Sequence, residues 1–326
     1  MKLPQRRQFL HLAAGAAALP AVLRIARAQT YPSRPVRIIV GFPPGGLGDI
    51  AARLIAQALS ARMGQQFIVE NRPGAASNLA TEAVVRSPPD GYALLALAAS
   101  ASVNQSVYDK LSFNLLTDIA MVAGTITSPL ILVVHPSVPV NTVPEMIAYA
   151  KANAGQIALA SYGTATTSHV AGELFKMMTG VNMVHVPYRG SAPMVTDLIA
   201  GQVQSAMDTV TSSLGHIRAG KLRPIAICSI KRSALLPNIP SMREFLPGFE
   251  ANGWNGIAAP KGTPTAIVNQ LNEEINAALL DPTLATRITE LGAEAFRTSP
   301  TELASIVAAE VRRWEKVVKF ANIKPE

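Results

Sequence analysis

Two short stretches carry most of the polar chemistry that this chain could turn on a small molecule. The first, "GFPPGGLGD" (Gly41 to Asp49), lies between an apolar run, Val36 to Val40, and a longer segment with helical spacing. Backbone N–H groups at such a junction are unpaired and sit at the positive end of the helix dipole, so they suit an anion. A dinucleotide loop needs G-x-G-x-x-G, which this stretch lacks. Gly41 and Gly46 have the outer spacing of a phosphate loop, but Leu47 and Gly48 stand where that chemistry needs Lys and Ser/Thr. What remains is either a carboxylate cradle, open above Gly45, Gly46 and Gly48, or a plain tight turn. Asp49 reads as a first-turn acid on the helix dipole, because a carboxylate beside an anion site would repel the ligand.

The second stretch, "SYGTATTSH", places Thr164, Thr166, Thr167 and Ser168 just ahead of a helix. One of these hydroxyls is expected to be the N-cap; four exceed that need and could bind an oxyanion. His169 and Glu173 have the i, i+4 spacing of two metal ligands. No third ligand is evident, so a surface or cap pair is the preferred reading, and no metal is expected. Asp208 ends an apolar strand and either receives a ligand hydroxyl or ammonium or caps the next turn. Phe42 and Tyr188 either line a pocket or pack the bases of their loops. Arg72 and Arg189 read as loop braces, and Trp254 as hinge packing or a pocket wall. Neither G-x-S-x-G nor H-E-x-x-H nor a cysteine–histidine pairing occurs. Cys228 is the only cysteine, set in the buried-strand pattern "LRPIAICSI", so no intrachain disulfide can form.

The elements that must position these loops alternate. Val36 to Val40 predicts a strand, Leu47 to Met63 a helix, "QQFIVE" a strand, Leu79 to Arg86 a helix, and "YALLALA" a strand. The order recurs with "QIALA", a helix over 168–178, "VNMVHV", a helix through 194–200, and "QVQSAMD". Two βαβαβ units predict parallel sheets, with ligand loops beyond the carboxyl ends of the strands. "GTITSPLILVVHPS" and "GFEANGWNGIAAPKGTP" have the composition of crossings between two domains. The C-terminal part reads as helical and is expected to pack back on the first domain.

The chain has 326 residues, 49% hydrophobic and 15% charged, enough for a sizeable core. Its formal charge of +8 is concentrated at the start: Lys2, Arg6, Arg7, Arg24 and Arg27 precede any acidic residue. Beyond them 24 Lys and Arg face 21 Asp and Glu, which leaves no electrostatic footprint for nucleic acid. The basic front, the apolar stretch from Leu10 to Leu23 and the small residues Ala26 and Ala28 form an export signal cleaved after Ala28. Arg6-Arg7 resembles the twin-arginine version of such signals; an ordinary secretory signal is the alternative.

Taken in order, "YPSRPVRIIVGFPPGGLGDIAARL", "VENRPGAASNLATEAVVRSPPDGYALL", "TTSHVAGELFKMMTG", "VPYRGSAPMVTDLIAGQV" and "GTPTAIVNQLNEEINAAL" resemble the Bug-type receptors of the tripartite tricarboxylate transporter family. The resemblance implies an α/β periplasmic-binding-protein fold of the type II class, with a cleft between two domains of mainly parallel sheet flanked by helices. Residues 1–28 are then the signal, 29–128 plus 252–326 the first domain, and 129–251 the second. It implies a periplasmic receptor, without cofactor or catalysis, that delivers a small organic carboxylate to membrane permease subunits and acts as a monomer. Alternatives are a periplasmic enzyme using Asp208 or His169 as a base, or a sensor presenting its ligand to a signalling partner. In the family, the loop matching Phe42 to Asp49 wraps one carboxylate. Loops matching Ser77-Asn78, Gly163 to Thr167 and Asp208 complete the pocket, and Ser100, just past the third strand, is counted with them. Ala75, Ala76, Ser77, Ala80 and Ala165 stand where glycine or another small residue is usual, which restricts the backbone and bears on the ligand's identity.

Overall fold

The computed structural model describes residues 31–108 and 110–325. Arg34–Glu326 is one compact unit, separate from Met1–Ser33. The expected export signal lies outside the described residues.

β-branched residues crowd a helix but pack well on a pleated sheet. Val36–Val40 accordingly forms β1, four of its five residues buried. The helix α1 (Leu47–Met63) begins and ends where the spacing predicts, burying Ala51, Ala52, Ile55, Ala56 and Leu59 along one stripe. β2 (Phe67–Asn71), α2 (Asn78–Val85) and β3 (Ala93–Ala98) follow. β1 lies between β2 and β3 and runs parallel to both, so all three strands deliver their loops to one edge. A helix not expected from the sequence, α3 (Ser100–Val107), leaves β3 at that edge.

The segment read as a crossing is one strand of 16 residues, β4 (Ile119–Val134). It leads through α4 (Val143–Ala152) into a second parallel set. That set is β5 (Ala158–Ser161), α5 (Thr167–Thr179), β6 (Val184–Pro187), α6 (Ser191–Ile199), β7 (Ser205–Thr209) and α7 (Val210–Arg218). β5 lies between β6 and β7, parallel to both. "QVQSAMD" becomes strand only from Ser205, because Gly201 and Gln202 donate back to Leu198 and Asp197 in a turn.

β8 (Arg223–Ile227) and β9 (Asn252–Pro260) return the chain along β4, both antiparallel to it. The rest is α8 (Thr265–Ala278), α9 (Pro282–Glu290), the short β10 (Glu294–Ala295) and α10 (Pro300–Ala321). β4 pairs with β9 as far as Pro129, and from Leu130 onward with β7 and β8. The changeover falls at a proline, which cannot donate to a ladder. β9 also pairs antiparallel with β3, so β9 and β4 together tie both parallel sets into a single ten-stranded sheet.

α10 packs on the first set, as expected, and also on the second. Leu303 and Val307 join a cluster with Ile39, Leu95 and Trp254. About two and three turns further on, Trp314, Val317 and Val318 join Val170, Phe175 and Phe249. The helix is long enough for its apolar stripe to cover both.

Candidate functional site

The glycine loop is built from below. Asp49 is buried, and its carboxylate accepts from Gly45 N (3.0 Å), Arg53 Nε (3.0 Å) and Asn71 Nδ2 (2.9 Å). Asn71 Nδ2 also donates to Phe42 O at 3.0 Å. Burial pushes the Asp49 pKa up, but the bonds from Arg53, Gly45 and Asn71 outweigh it and hold the carboxyl below its ordinary value. Asp49 is thus a charged brace that pins Gly45 at a φ of +89°, a conformation side chains resist. Above it Gly45 and Gly46 are exposed, Phe42, Leu47 and Gly48 are half-buried, and α1 starts without a side-chain cap.

The second loop touches the first. A Cβ on Gly41 would fall 1.8 Å from Ser77 Oγ, so only glycine permits the approach. Ala75, Ala76 and Ser77 all have left-handed φ, at 45°, 51° and 76°. This backbone conformation is kept at a cost in strain of order 1 kcal/mol or more per residue. Asn104, on α3, stabilises it by donating Nδ2 to Ala76 O at 2.7 Å. The same Nδ2 donates to Asn78 Oδ1 at 3.1 Å. Asn78 Nδ2 and Ser100 Oγ are buried and find no hydrogen-bond partner among the described residues. Neither α2 nor α3 has a side-chain cap.

The second parallel set is more self-sufficient. Thr166 caps α5, accepting from His169 N and donating to Gly163 O at 2.6 Å. Ser168 joins Tyr162 N to Met207 O. Of the four hydroxyls, Thr167 is buried and bonds the Tyr162 hydroxyl, and Thr164 is half-buried. His169 accepts from Ala165 N and stacks on His185, ring centroids 3.7 Å apart. Burial first, then His185 and Lys176, push its pKa down to about 3. It is a neutral wall of the loop with its Nδ1 occupied. Tyr188 donates its hydroxyl to Asp197 at 2.9 Å, the loop-packing alternative.

Asp208 is the most deeply buried of the expected ligand residues. It has no exposed surface, and its oxygens accept from Ser191 Oγ (2.8 Å) and Ser213 Oγ (2.7 Å). It fastens the start of α6 to α7. Burial raises its pKa to about 6 despite those bonds. α6 itself begins uncapped after Gly190.

The two sets meet where α3 packs on α5, with Val103 and Val107 beside Ala165 and Val170. On the first side, Asn255 of β9 approaches Gly48, its Oδ1 3.2 Å from where a Cβ would lie. Asn71, Asn104 and Asn255 were not singled out by motif, since single asparagines carry no spacing signal. Trp254 lies under the site, donating Nε1 to Glu310 Oε1 at 3.0 Å. A hollow of about 480 Å³ between α7 and α9, lined by Leu214, Arg218 and Thr289, contains none of these residues. Among the described residues no helix is long and apolar enough to cross a membrane.

Known proteins share this architecture. A family model described as the tripartite tricarboxylate transporter family receptor, TctC, matches residues 51–323. Protein BugT of Bordetella pertussis is 37% identical over 300 residues, which is 91% of this chain and 92% of BugT. The solved structure of R. palustris Rpa4515 with adipate is 38% identical with a TM-score of 0.79, covering 91% of this chain and 100% of that one. MatC from Rhodopseudomonas palustris with bound malate is 31% identical with a TM-score of 0.76, covering 88% and 100%. The α/β periplasmic-binding-protein fold expected from the resemblance is the fold observed.

Proposed function

The chain belongs to the tripartite tricarboxylate transporter family of receptors, and on that premise we propose that it is a periplasmic receptor for a small organic carboxylate. It captures the ligand between two lobes, residues 29–128 plus 252–326 and residues 129–251, and delivers it to membrane permease subunits. No chemistry is performed on the ligand.

One observation carries the reading. The helices α1, α2 and α3, which follow three adjacent parallel strands, all lack a side-chain cap. Of the remaining helices α4, α5, α7, α9 and α10 are capped by Thr142, Thr166, Thr209, Asp281 and Ser299, whereas α6 and α8 also start without a side-chain cap, after Gly190 and Pro264. On one sheet edge, helix starts without a side-chain cap lie beside the buried donors Asn78 Nδ2 and Ser100 Oγ, which lack an acceptor among the described residues. Of the first-turn amides, Asn78 N and Ser102 N already donate to Ala75 O and Ala99 O. A carboxylate supplies the missing acceptor without needing a counter-ion, because the helix dipoles carry the positive field. The two relatives solved with adipate and with malate hold dicarboxylates. A ligand that also reaches Thr164, Thr167 and the uncapped start of α6 contacts both lobes, and so favours the closed state over the open one.

The enzyme alternative needs a base that faces the ligand. Asp208 has both oxygens engaged and His169 has Nδ1 occupied, which favours binding over catalysis.

The test is a thermal-shift and tryptophan-fluorescence screen of the mature chain against mono- and dicarboxylates. At a hundredfold excess over Kd the bound form gains about 2.7 kcal/mol, several degrees in Tm. A carboxylate that shifts Tm and is recovered unchanged is the expected result. No shift across the panel, or turnover of the bound acid, contradicts the reading.

A further inference from the structure

Asparagine is ambiguous in itself, since either end of its amide can face a neighbour. Here the ambiguity is resolved by a chain of contacts that starts from the backbone. The Ala76 carbonyl can only accept, so the Asn104 atom 2.7 Å from it is the NH₂ nitrogen. That nitrogen lies 3.1 Å from the Asn78 amide, whose facing atom must then be the oxygen. The opposite orientation would set two NH₂ groups against each other. Asn78 is therefore held with its own NH₂ turned away from Asn104, and this buried group has no partner among the described residues. Asn104 is itself 1% exposed, so water does not compete for it.

From this we infer that Asn104 is a positioning residue for the carboxylate site, acting through Asn78 and through the left-handed loop 75–77. It touches no ligand. It fixes the Asn78 amide as a donor and, by holding Ala76 O, keeps three strained residues in the conformation that brings Ser77 and Asn78 to the edge of β1. A site whose side-chain amide is locked as a donor accepts an ionised carboxylate and rejects a head group that must itself donate. The alanines at 75 and 76 make this lock necessary: glycine would adopt the turn unaided, whereas alanine needs it held. The inference rests on the carboxylate-receptor reading above.

A double-mutant cycle in binding, with adipate and malate as probes and calorimetry as readout, separates positioning from general support. Asn78→Ala and Asn104→Leu are each expected to weaken binding about 10- to 100-fold, the weight of one hydrogen bond to a charged group. If Asn104 acts through Asn78 and the loop that carries it, the double variant loses clearly less affinity than the two single losses combined. Additive losses, or a fall in Tm with Kd unchanged, overturn the inference. Should Asn104→Leu not fold, Asn104→Ala serves in the same cycle. If the wild-type chain binds neither probe but binds another carboxylate of the panel, the cycle is run on that acid. If it binds none, the receptor reading itself has failed and the inference falls with it.

Discussion

Gly46 shows how a single residue can separate folding from binding. It is the N-cap of α1, in ordinary extended conformation at φ −77°, and a Cβ there would meet only Pro43 O at 4.0 Å. The fold therefore tolerates a side chain, while the exposed amides beyond it do not. Gly46→Val is expected to keep the wild-type Tm to within a degree or two and to abolish carboxylate binding, measured by calorimetry; retained binding would remove the cradle assignment. Much of this loop was legible in the sequence, because glycine spacing and the missing Lys and Ser/Thr are local facts. The roles of Asp49 and Asp208 were not. Whether a carboxylate after a strand faces the ligand or the loop beneath depends on partners such as Asn71 and Ser213, which are distant in sequence or lie on a helix not foreseen.

At the scale of elements, three helices without a side-chain cap start from one sheet edge. Gly46→Asp tests this from the other side, since its carboxylate would serve α1 itself. Aspartate replaces glycine at an N-cap with a gain of only a few tenths of a kcal/mol. Stability should hold or rise slightly while ligand affinity falls at least tenfold; undiminished affinity would show that the α1 amides are not used.

The junction of β9 and α10 carries a second testable property. Glu310 is buried, and burial raises its pKa to about 7 despite the Trp254 hydrogen bond. Between roughly pH 4.5 and 7 the unfolded chain has released this proton and the folded chain keeps it, so stability falls as pH rises through that window. Asp208, raised to about 6, acts in the same direction at slightly lower pH. His169, lowered to about 3, acts oppositely, its stabilisation being lost as pH falls below about 6.5. Glu310→Gln should flatten the decline above pH 5 and raise Tm at pH 8 relative to wild type; a lower Tm at pH 8 would contradict the account. Neither Glu310's burial nor the existence of α3 could be read from sequence. "SASVNQSV" has no apolar stripe, and it is helical because β3 delivers it against α5 and α10.

For the whole molecule, the order of elements was legible because alternating periodicities are local, while the joining of the two parallel sets was not. β4 and β9 looked like crossings and are instead shared strands, with Pro129 at the change of partners. That continuity fits a receptor whose lobes move about a few strand positions while each set keeps its core. Closure on a saturating carboxylate should lower the radius of gyration in small-angle scattering, and Gly46→Val should show no such change.

The central claim is that uncapped amides on the β2-β1-β3 edge hold a carboxylate. The most direct measurement is a crystal structure of the mature chain with the carboxylate that gives the largest thermal shift. The account predicts one carboxylate within hydrogen-bond distance of the Leu47 or Gly48 backbone N–H and of Asn78 Nδ2, with the rest of the ligand reaching toward Thr164 or Thr167. A ligand seated elsewhere, such as the hollow between α7 and α9, or one whose acid group leaves those amides uncontacted, would contradict it.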